Sequence, residues 1–290
     1  MSDFVLSAFA DEAGVTLDEQ IAALQRNGIR YMEIRSVDGL NICKTPLEKV
    51  TEYKKKLDAA GVKVTTIGSC IGKLNLDDNY EEHIAMFLHT LGVAKILGAT
   101  RIRMFSVFLP QDGNAAAYRE KVFGWMKEML DIAEPTGIAL YHENEKDIYG
   151  DVECRVRDLM DTFGDRMRFI FDPANFVQCG CDTWQVYNAL KDRLSYFHIK
   201  DASAADNTVV PPGSGDGNIG RILRDYAKDH QNVMLTLEPH LMDFVGLKDL
   251  GDDVSIKKET QYTYKDNAEA FDFAASTLKA LLEKEGLSYQ

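Results

Sequence analysis

Long apolar runs are missing from this sequence, since no stretch approaches the roughly 20 consecutive apolar residues of a membrane-spanning helix. The first ten residues also lack the basic lead of a secretory signal peptide. Lys and Arg number 33 against 46 Asp and Glu, which gives a net charge of −13. Such a chain lacks the basic surface that nucleic-acid binding requires. These absences argue against a membrane protein and against a nucleic-acid partner.

Cysteine is scarce as well, with five residues, an odd number, scattered along the chain of 290 residues. This pattern is typical of reduced thiols in a cytoplasmic protein rather than of a disulfide framework. No G-x-G-x-x-G motif follows a predicted strand, which argues against a dinucleotide-binding open sheet. Neither a linker nor a break in composition divides the chain. We therefore expect one soluble domain spanning residues 1–290.

Strand and helix patterns alternate along the whole sequence. The strands are predicted at residues 5–10, 31–37, 63–70, 101–106, 138–143, 167–172, 194–200 and 233–238. The helices are predicted at residues 17–27, 47–60, 80–97, 115–133, 152–163, 183–191, 219–228 and 268–283. Eight strand–helix units in this order predict an α/β protein, a single (β/α)8 TIM barrel.

Two predicted loops are elongated, one after strand seven at residues 202–218 and one after strand eight at residues 241–267. Both are expected over the C-terminal mouth of the barrel, where barrel enzymes keep their sites. A lid, a subunit contact and plain solvated surface all remain open as interpretations. Glycines at 213 and 215 could donate to a phosphate, but the neighbouring Asp216 would repel an anion, which favours an unphosphorylated substrate.

Four successive predicted strands end in a residue that can ligate a metal ion, namely Glu143, Asp172, His198 and Glu238. All four can point into the barrel, because side chains alternate along a strand. Three carboxylates and one imidazole with room for substrate suit Mn²⁺, Mg²⁺ or Co²⁺ better than structural zinc, whose sites are closed and rich in sulfur. The sequence thus predicts one divalent ion at the mouth. Taken singly, each acid could instead be a helix cap or salt-bridge partner, and His198 a core histidine.

The segments around these residues read Tyr-His-Glu143-Asn, Phe-Asp172-Pro-Ala-Asn-Phe, Phe-His198-Ile-Lys200-Asp and Leu-Glu238-Pro-His. Together they resemble the xylose-isomerase-like TIM-barrel superfamily, in particular its sugar (phosphate) isomerase/epimerase group of ketose 3-epimerases and inosose-processing enzymes. The resemblance covers nearly the whole chain, and it is specific at the ligand positions only. It implies one divalent ion, often Mn²⁺, held by these four residues, with Glu143 and Glu238 doubling as catalytic acid/base groups.

The chemistry implied is proton transfer on a small-molecule sugar or cyclitol. A divalent cation that chelates a carbonyl and the adjacent hydroxyl stabilises the enediolate formed when the α-proton is lost. Two carboxylates on opposite sides would give epimerisation, whereas one base acting between C1 and C2 would give isomerisation. Mn²⁺ is the favoured ion, with Mg²⁺, Co²⁺ or Zn²⁺ as alternatives, and homo-oligomerisation remains open.

Further site residues are expected near the same strand ends. His142 precedes Glu143 and is assigned a catalytic role as an alternative base or ligand-orienting group, unless it packs behind the strand. Substrate-binding roles are assigned to Glu33, Arg35, Ser69, Arg103, Asn175, Lys200 and His240. For Arg35 and Arg103, a structural ion pair with Glu33 or another acid at the rim is an equal alternative.

Three other functions also remain open. A lyase that β-eliminates 3-keto-glycosides would use the same metal site, with His142 as the additional acid or base. An endonuclease IV-like DNA repair enzyme would need further histidines where this chain has Ser69, Phe105 and Asn175, together with a basic surface. A non-catalytic sugar-binding barrel would not need the intact pair of carboxylates.

Overall fold

The computed structural model describes residues 2–245 and 262–290. Its centre is a closed barrel of eight parallel strands, as the alternating sequence pattern predicted. In chain order the strands are β1 Phe4–Ala8, β2 Tyr31–Ile34, β3 Lys63–Ile67, β4 Arg101–Met104, β5 Ala139–Glu143, β6 Met167–Phe171, β7 Leu194–Ile199 and β8 Val233–Leu237. Pairing of β1 with β8 closes the ring. The predicted (β/α)8 barrel is confirmed.

Helices follow the strands around the outside of the barrel. They are α1 Leu17–Arg26, α2 Leu47–Ala59, α3 Tyr80–Leu97, α4 Ala115–Ala133, α5 Glu153–Phe163, α6 Pro173–Gln178, α7 Thr183–Leu190, α8 Ile219–Tyr226 and α9 Asn267–Lys284. The short helix α6 was not predicted. It begins at Pro173 and is capped by Asp172. Proline is favourable at the first helical position, because a backbone N–H there would have no hydrogen-bond acceptor within the helix.

Aromatic packing between the strands and the outer helices fixes the half of the barrel that carries the predicted ligands. Phe171 of β6 contacts Phe197 of β7 and Tyr187 of α7, with ring centroids 6.0 and 6.4 Å apart. Tyr226 of α8 packs edge-on against Phe197 at 5.3 Å. Burial of each large apolar side chain stabilises the fold by roughly 1.5–3 kcal/mol. These contacts pack β6 and β7 against α7 and α8 close to the C-terminal ends of the two strands.

The first four strands end two or three residues earlier than predicted. The chain leaves the barrel after β1 in a helical turn at Ala10–Glu12, and after β2 in a hairpin that pairs Ser36–Val37 with Leu40–Asn41. The apolar residues Phe9, Val37 and Phe105 beyond the strand ends made these segments resemble strand continuations in sequence. In the structure all three side chains are buried outside the barrel strands.

The loop after β7 folds around one carboxylate. Asp201 accepts hydrogen bonds of 2.9 Å from the backbone N–H groups of Ala202, Gly213, Gly215 and Gly217. A Cβ at Gly215 would lie 2.4 Å from the carbonyl oxygen of Ala202, so only glycine fits there. The backbone donors that a phosphate would need at this loop are therefore already used.

Asp201→Asn is expected to lower the free energy of unfolding by roughly 2–4 kcal/mol, because the amide nitrogen cannot accept a bond from an N–H donor. Urea denaturation would measure the loss. Asp216→Asn is the matched control in the same loop, since its exposed carboxylate accepts the backbone N–H of Ala204 at 2.7 Å. We expect that control to change stability by less than about 1 kcal/mol. Equal, small losses in both variants would contradict the structural role of Asp201.

Three further expectations from the sequence concern the loop after β8, membrane-spanning helices and the cysteines. The predicted loop at 241–267 lies mostly outside the described residues, so its proposed place over the mouth stays a prediction. No helix in the described ranges is both long and apolar enough to span a bilayer. All five cysteines carry free thiols.

Candidate metal and active site

The four predicted metal ligands converge at the C-terminal mouth of the barrel. Glu143 is the last residue of β5, Asp172 follows β6, His198 lies in β7 and Glu238 follows β8. One potential ligand atom from each lies within 4.8 Å of the others, and all four side chains are buried. Strands β5 to β8 are neighbours in the ring, and parallel strands end at the same edge. We call this set the quartet.

His198 is oriented by a carboxylate beneath it. Its Nε2 lies 3.2 Å from Glu33 Oε2, and Glu33 also accepts a 3.1 Å bond from the hydroxyl of Tyr196. On the other side of the ring, Nδ1 lies 2.9 Å from Glu143 Oε1 and 3.3 Å from Glu238 Oε2. A carboxylate that takes one ring N–H and leaves the other nitrogen facing the ligands is the usual arrangement around a metal-bound histidine.

Asp172 uses only one of its two carboxylate oxygens to cap a helix. Its Oδ1 accepts the backbone N–H of Asn175 at 3.0 Å and so caps helix α6. Its backbone is held by Asn144, which both accepts from and donates to the Asp172 peptide groups at 3.0 Å. Asn175 in turn donates to the carbonyl oxygen of Asn144 at 2.8 Å. From the sequence, Asp172 could be either a helix cap or a metal ligand, and these two roles are compatible because they use different oxygens. The sequence analysis assigned no role to Asn144. Its position directly after Glu143 was the one feature that could have indicated a place in the site.

Two carboxylate oxygens of the quartet, Asp172 Oδ2 and Glu238 Oε2, accept no hydrogen bond from any residue that the structure describes. The ammonium group of Lys200 lies 2.9 Å from the first and 3.8 Å from the second, as ion-pair contacts outside hydrogen-bond geometry. Burial by itself would lower the pKa of Lys200, but the charges of Asp172 and Glu238 outweigh it and raise that pKa. Buried polar atoms normally have partners. Three carboxylates and one imidazole nitrogen, all buried and with ligand atoms within 4.8 Å of one another, fit a divalent cation.

Arg103 reaches the quartet from β4. Its Nη1 donates to Glu143 Oε2 at 3.0 Å and lies 3.7 Å from Glu238 Oε1. Burial would raise the pKa of Glu143, but the positive charges of His198 and Arg103 outweigh it and lower that pKa to about 2. Ser69 stays in the turn after β3, where its hydroxyl donates to the carbonyl oxygen of Arg103. Arg103 therefore forms an ion pair, which was one of its two predicted roles, and its partner is Glu143 rather than Glu33.

Arg35 approaches Glu238 from the other side, with Nη1 2.9 Å from Glu238 Oε1. It also pairs with Asp11 at 2.9 Å and with Glu12 at 3.1 Å. Burial raises the pKa of Glu12 to about 8 although Arg35 opposes the shift. His240 lies 3.3 Å from Glu238 Oε1, and burial lowers its pKa to about 4. Asp11 and Glu12 were missed from the sequence, where two acids directly after the first buried strand were the only signal.

His142 does not join the quartet. It points away from Glu143 on the opposite face of β5, where its Nε2 lies 2.9 Å from the hydroxyl oxygen of Ser106. Burial lowers the pKa of His142 to about 3, so the ring is neutral. This position matches the alternative that His142 packs behind the strand, and the structure offers no contact in support of its predicted catalytic role.

Residues 21–241 match a family model described as xylose isomerase-like TIM barrel. The chain belongs to this family. The matched segment contains strands β2 to β8 and the whole quartet, so the match includes all four candidate metal ligands.

Solved structures similar to this xylose isomerase-like barrel share its fold over nearly the whole chain. The IolI protein, whose structure holds a zinc atom, is 17% identical, with a TM-score of 0.72 and coverage of 98% of this chain and 99% of its own. D-allulose 3-epimerase from Methylomonas sp. is 15% identical, with a TM-score of 0.72 and the same coverages, 98% and 99%. The probable 3-DHS dehydratase AsbF from Bacillus anthracis is 15% identical, with a TM-score of 0.70 and coverages of 96% and 98%. A search of curated proteins found no significant match.

Proposed function

We propose that this xylose isomerase-like barrel is a divalent-metal-dependent isomerase or epimerase of a sugar or cyclitol. The observation that carries this proposal is the buried quartet at the mouth of the barrel, in which one ligand atom from each residue lies within 4.8 Å of the others. Glu143, Asp172, His198 and Glu238 would hold the ion, which we propose to be Mn²⁺, with Mg²⁺, Co²⁺ and Zn²⁺ as alternatives. When bound, the ion would polarise the carbonyl and the adjacent hydroxyl of the substrate.

Glu143 and Glu238 are proposed to move the proton at the carbon next to the substrate carbonyl. They come from the first and last strands of the arc β5–β8, and both lie beside His198 Nδ1, at 2.9 and 3.3 Å. Arg103 holds Glu143 Oε2 at 3.0 Å, and Arg35 holds Glu238 Oε1 at 2.9 Å. Each carboxylate thus has one oxygen fixed by a guanidinium. A fixed carboxylate within reach of the substrate is what general acid–base catalysis requires.

Substrate recognition is proposed for the polar side chains nearest the quartet. Lys200 follows β7 and lies 2.9 Å from Asp172 Oδ2, His240 follows β8 and lies 3.3 Å from Glu238 Oε1, and Asn175 donates its backbone N–H to Asp172. The roles of Glu33, Arg35, Ser69 and Arg103 in binding substrate stay predictions, since their described contacts are with the protein. The glycine loop is filled by Asp201, which supports a substrate without phosphate. A cytoplasmic location agrees with the five free thiols.

Elimination is the second candidate reaction, because the probable dehydratase AsbF shares this fold. A lyase acting on 3-keto-glycosides was expected to employ His142 as its additional acid or base. In the structure His142 contacts Ser106 behind β5 instead. We therefore place proton transfer between the quartet carboxylates and the substrate first.

The proposal is tested by solvent-deuterium incorporation into a panel of ketoses and inososes, using protein reconstituted with Mn²⁺. We expect deuterium at the carbon next to the carbonyl, together with an isomeric product, and loss of both after chelation of the metal. Full retention of the original hydrogen during turnover would indicate hydride transfer and contradict the proposal. An unsaturated sugar with a released aglycone would identify a lyase.

A further inference from the structure

A second group of potential metal ligands adjoins the quartet. Glu12, Glu238 and His240 are buried, and one ligand atom from each lies within 4.8 Å of the others. Glu238 belongs to both groups through different oxygens. Its Oε2 lies 3.3 Å from His198 Nδ1, whereas its Oε1 lies 3.3 Å from His240 Nε2. A carboxylate with one oxygen in each group is placed as a bridge between two cations.

The guanidinium of Arg35 already stands within this second group. Its Nη1 lies 2.9 Å from Glu238 Oε1 and 3.4 Å from His240 Nε2, and its Nη2 lies 3.1 Å from Glu12 Oε1. The Arg35 side chain is only 1% exposed, so water does not compete for these contacts. A fixed positive charge therefore touches all three side chains that a second ion would use.

Arg35 is itself held firmly in this position. Asp11 binds it in a fork, with Nε to Oδ2 at 2.9 Å and Nη2 to Oδ1 at 3.0 Å. The rings of Phe9 and Phe244 lie 4.5 and 4.4 Å from its Cζ atom. Bidentate pairing with a carboxylate and contact with aromatic faces are the two ways in which a protein fixes a guanidinium plane. The cation is therefore preorganised before any metal or substrate binds.

We propose that Arg35 takes the place of a second metal ion. It keeps the centre mononuclear, and it positions Glu238 so that Oε1 is engaged and Oε2 faces the quartet. Asp11 anchors the arginine and thereby acts on Glu238 through it. This inference rests on the proposed function, since it requires an ion in the quartet.

The test counts Mn²⁺ ions per chain by equilibrium dialysis and elemental analysis. The wild type is expected to bind one ion even at millimolar Mn²⁺. Arg35→Met removes the charge but keeps a side chain of similar length, and this variant should bind two ions. Its affinity for the ion in the quartet should be about tenfold or more lower than that of the wild type, because a group that orients a ligand is lost. Arg35→Lys keeps a cation and should bind one. Arg101→Met is the control, since Arg101 lies at the opposite end of β4, near Tyr141 and Tyr196, and should match the wild type.

Two ions in the wild type, or one ion of unchanged affinity in Arg35→Met, would overturn this inference alone. No ion in the wild type would refute the proposed function, and this inference with it. If Arg35→Met does not fold, Asp11→Asn serves as the second variant, because it loosens the anchor at nearly constant size. We expect about tenfold weaker Mn²⁺ binding by Asp11→Asn, and wild-type affinity there would also overturn the inference.

Discussion

Glu238→Gln is expected to lower kcat by a factor of about 10³, because an amide cannot exchange a proton with the substrate. The fold should survive, since glutamine has the same shape and can still accept a hydrogen bond from Arg35, which lies 2.9 Å from Glu238 Oε1. Rates would be measured at saturating Mn²⁺, so that weaker ion binding does not contribute to the loss. Circular dichroism and thermal unfolding would verify the fold.

Glu283→Gln is the matched control for this experiment. Glu283 lies in α9 and accepts a hydrogen bond from the hydroxyl of Tyr289 at an exposed position. The same change of charge should leave kcat within twofold of the wild-type value. A normal rate for Glu238→Gln would remove Glu238 from the proposed acid/base pair.

Asp172→Asn is expected to weaken Mn²⁺ binding by a factor of roughly 100 or more while the protein stays folded. The affected atom is Oδ2, the oxygen that does not cap α6; in the structure it lies 2.9 Å from the ammonium group of Lys200. The cap on α6 should persist, because asparagine caps helices as well as aspartate does and Oδ1 can still accept the N–H of Asn175. Divalent hard cations prefer charged carboxylate oxygens to amide oxygens. Isothermal titration with Mn²⁺ would measure the affinity.

Asp182→Asn makes the same substitution at another helix cap. Asp182 accepts the backbone N–H of Gln185 at 3.1 Å at the start of α7, remote from the quartet in its contacts. Its Mn²⁺ affinity should equal that of the wild type, and the melting temperatures of both variants should lie within a few degrees of it. Stoichiometric ion binding by Asp172→Asn at low Mn²⁺ concentration would show that Asp172 is not a ligand.

The local pattern of residues was enough to predict the barrel. Strand and helix patterns alternate along the chain, and the strand-ending residues Glu143, Asp172, His198 and Glu238 can be read from alternation within single strands. The convergence of their side chains follows because parallel strands in a barrel end at one edge. Helix α6 was missed because six residues starting with proline carry too little periodicity to separate a helix from a loop.

The sequence by itself therefore determined the architecture and the edge of the barrel at which chemistry-bearing residues meet. Only the tertiary structure decided how they are paired. Arg35 and Glu238 are in contact although 203 positions separate them in the sequence, and His198 contacts Glu33 at a separation of 165 positions. Local patterns carry no signal for such pairs, because closure of the ring by β1 and β8 brings the two ends of the chain together. For the same reason two acids after β1, Asp11 and Glu12, became part of the site.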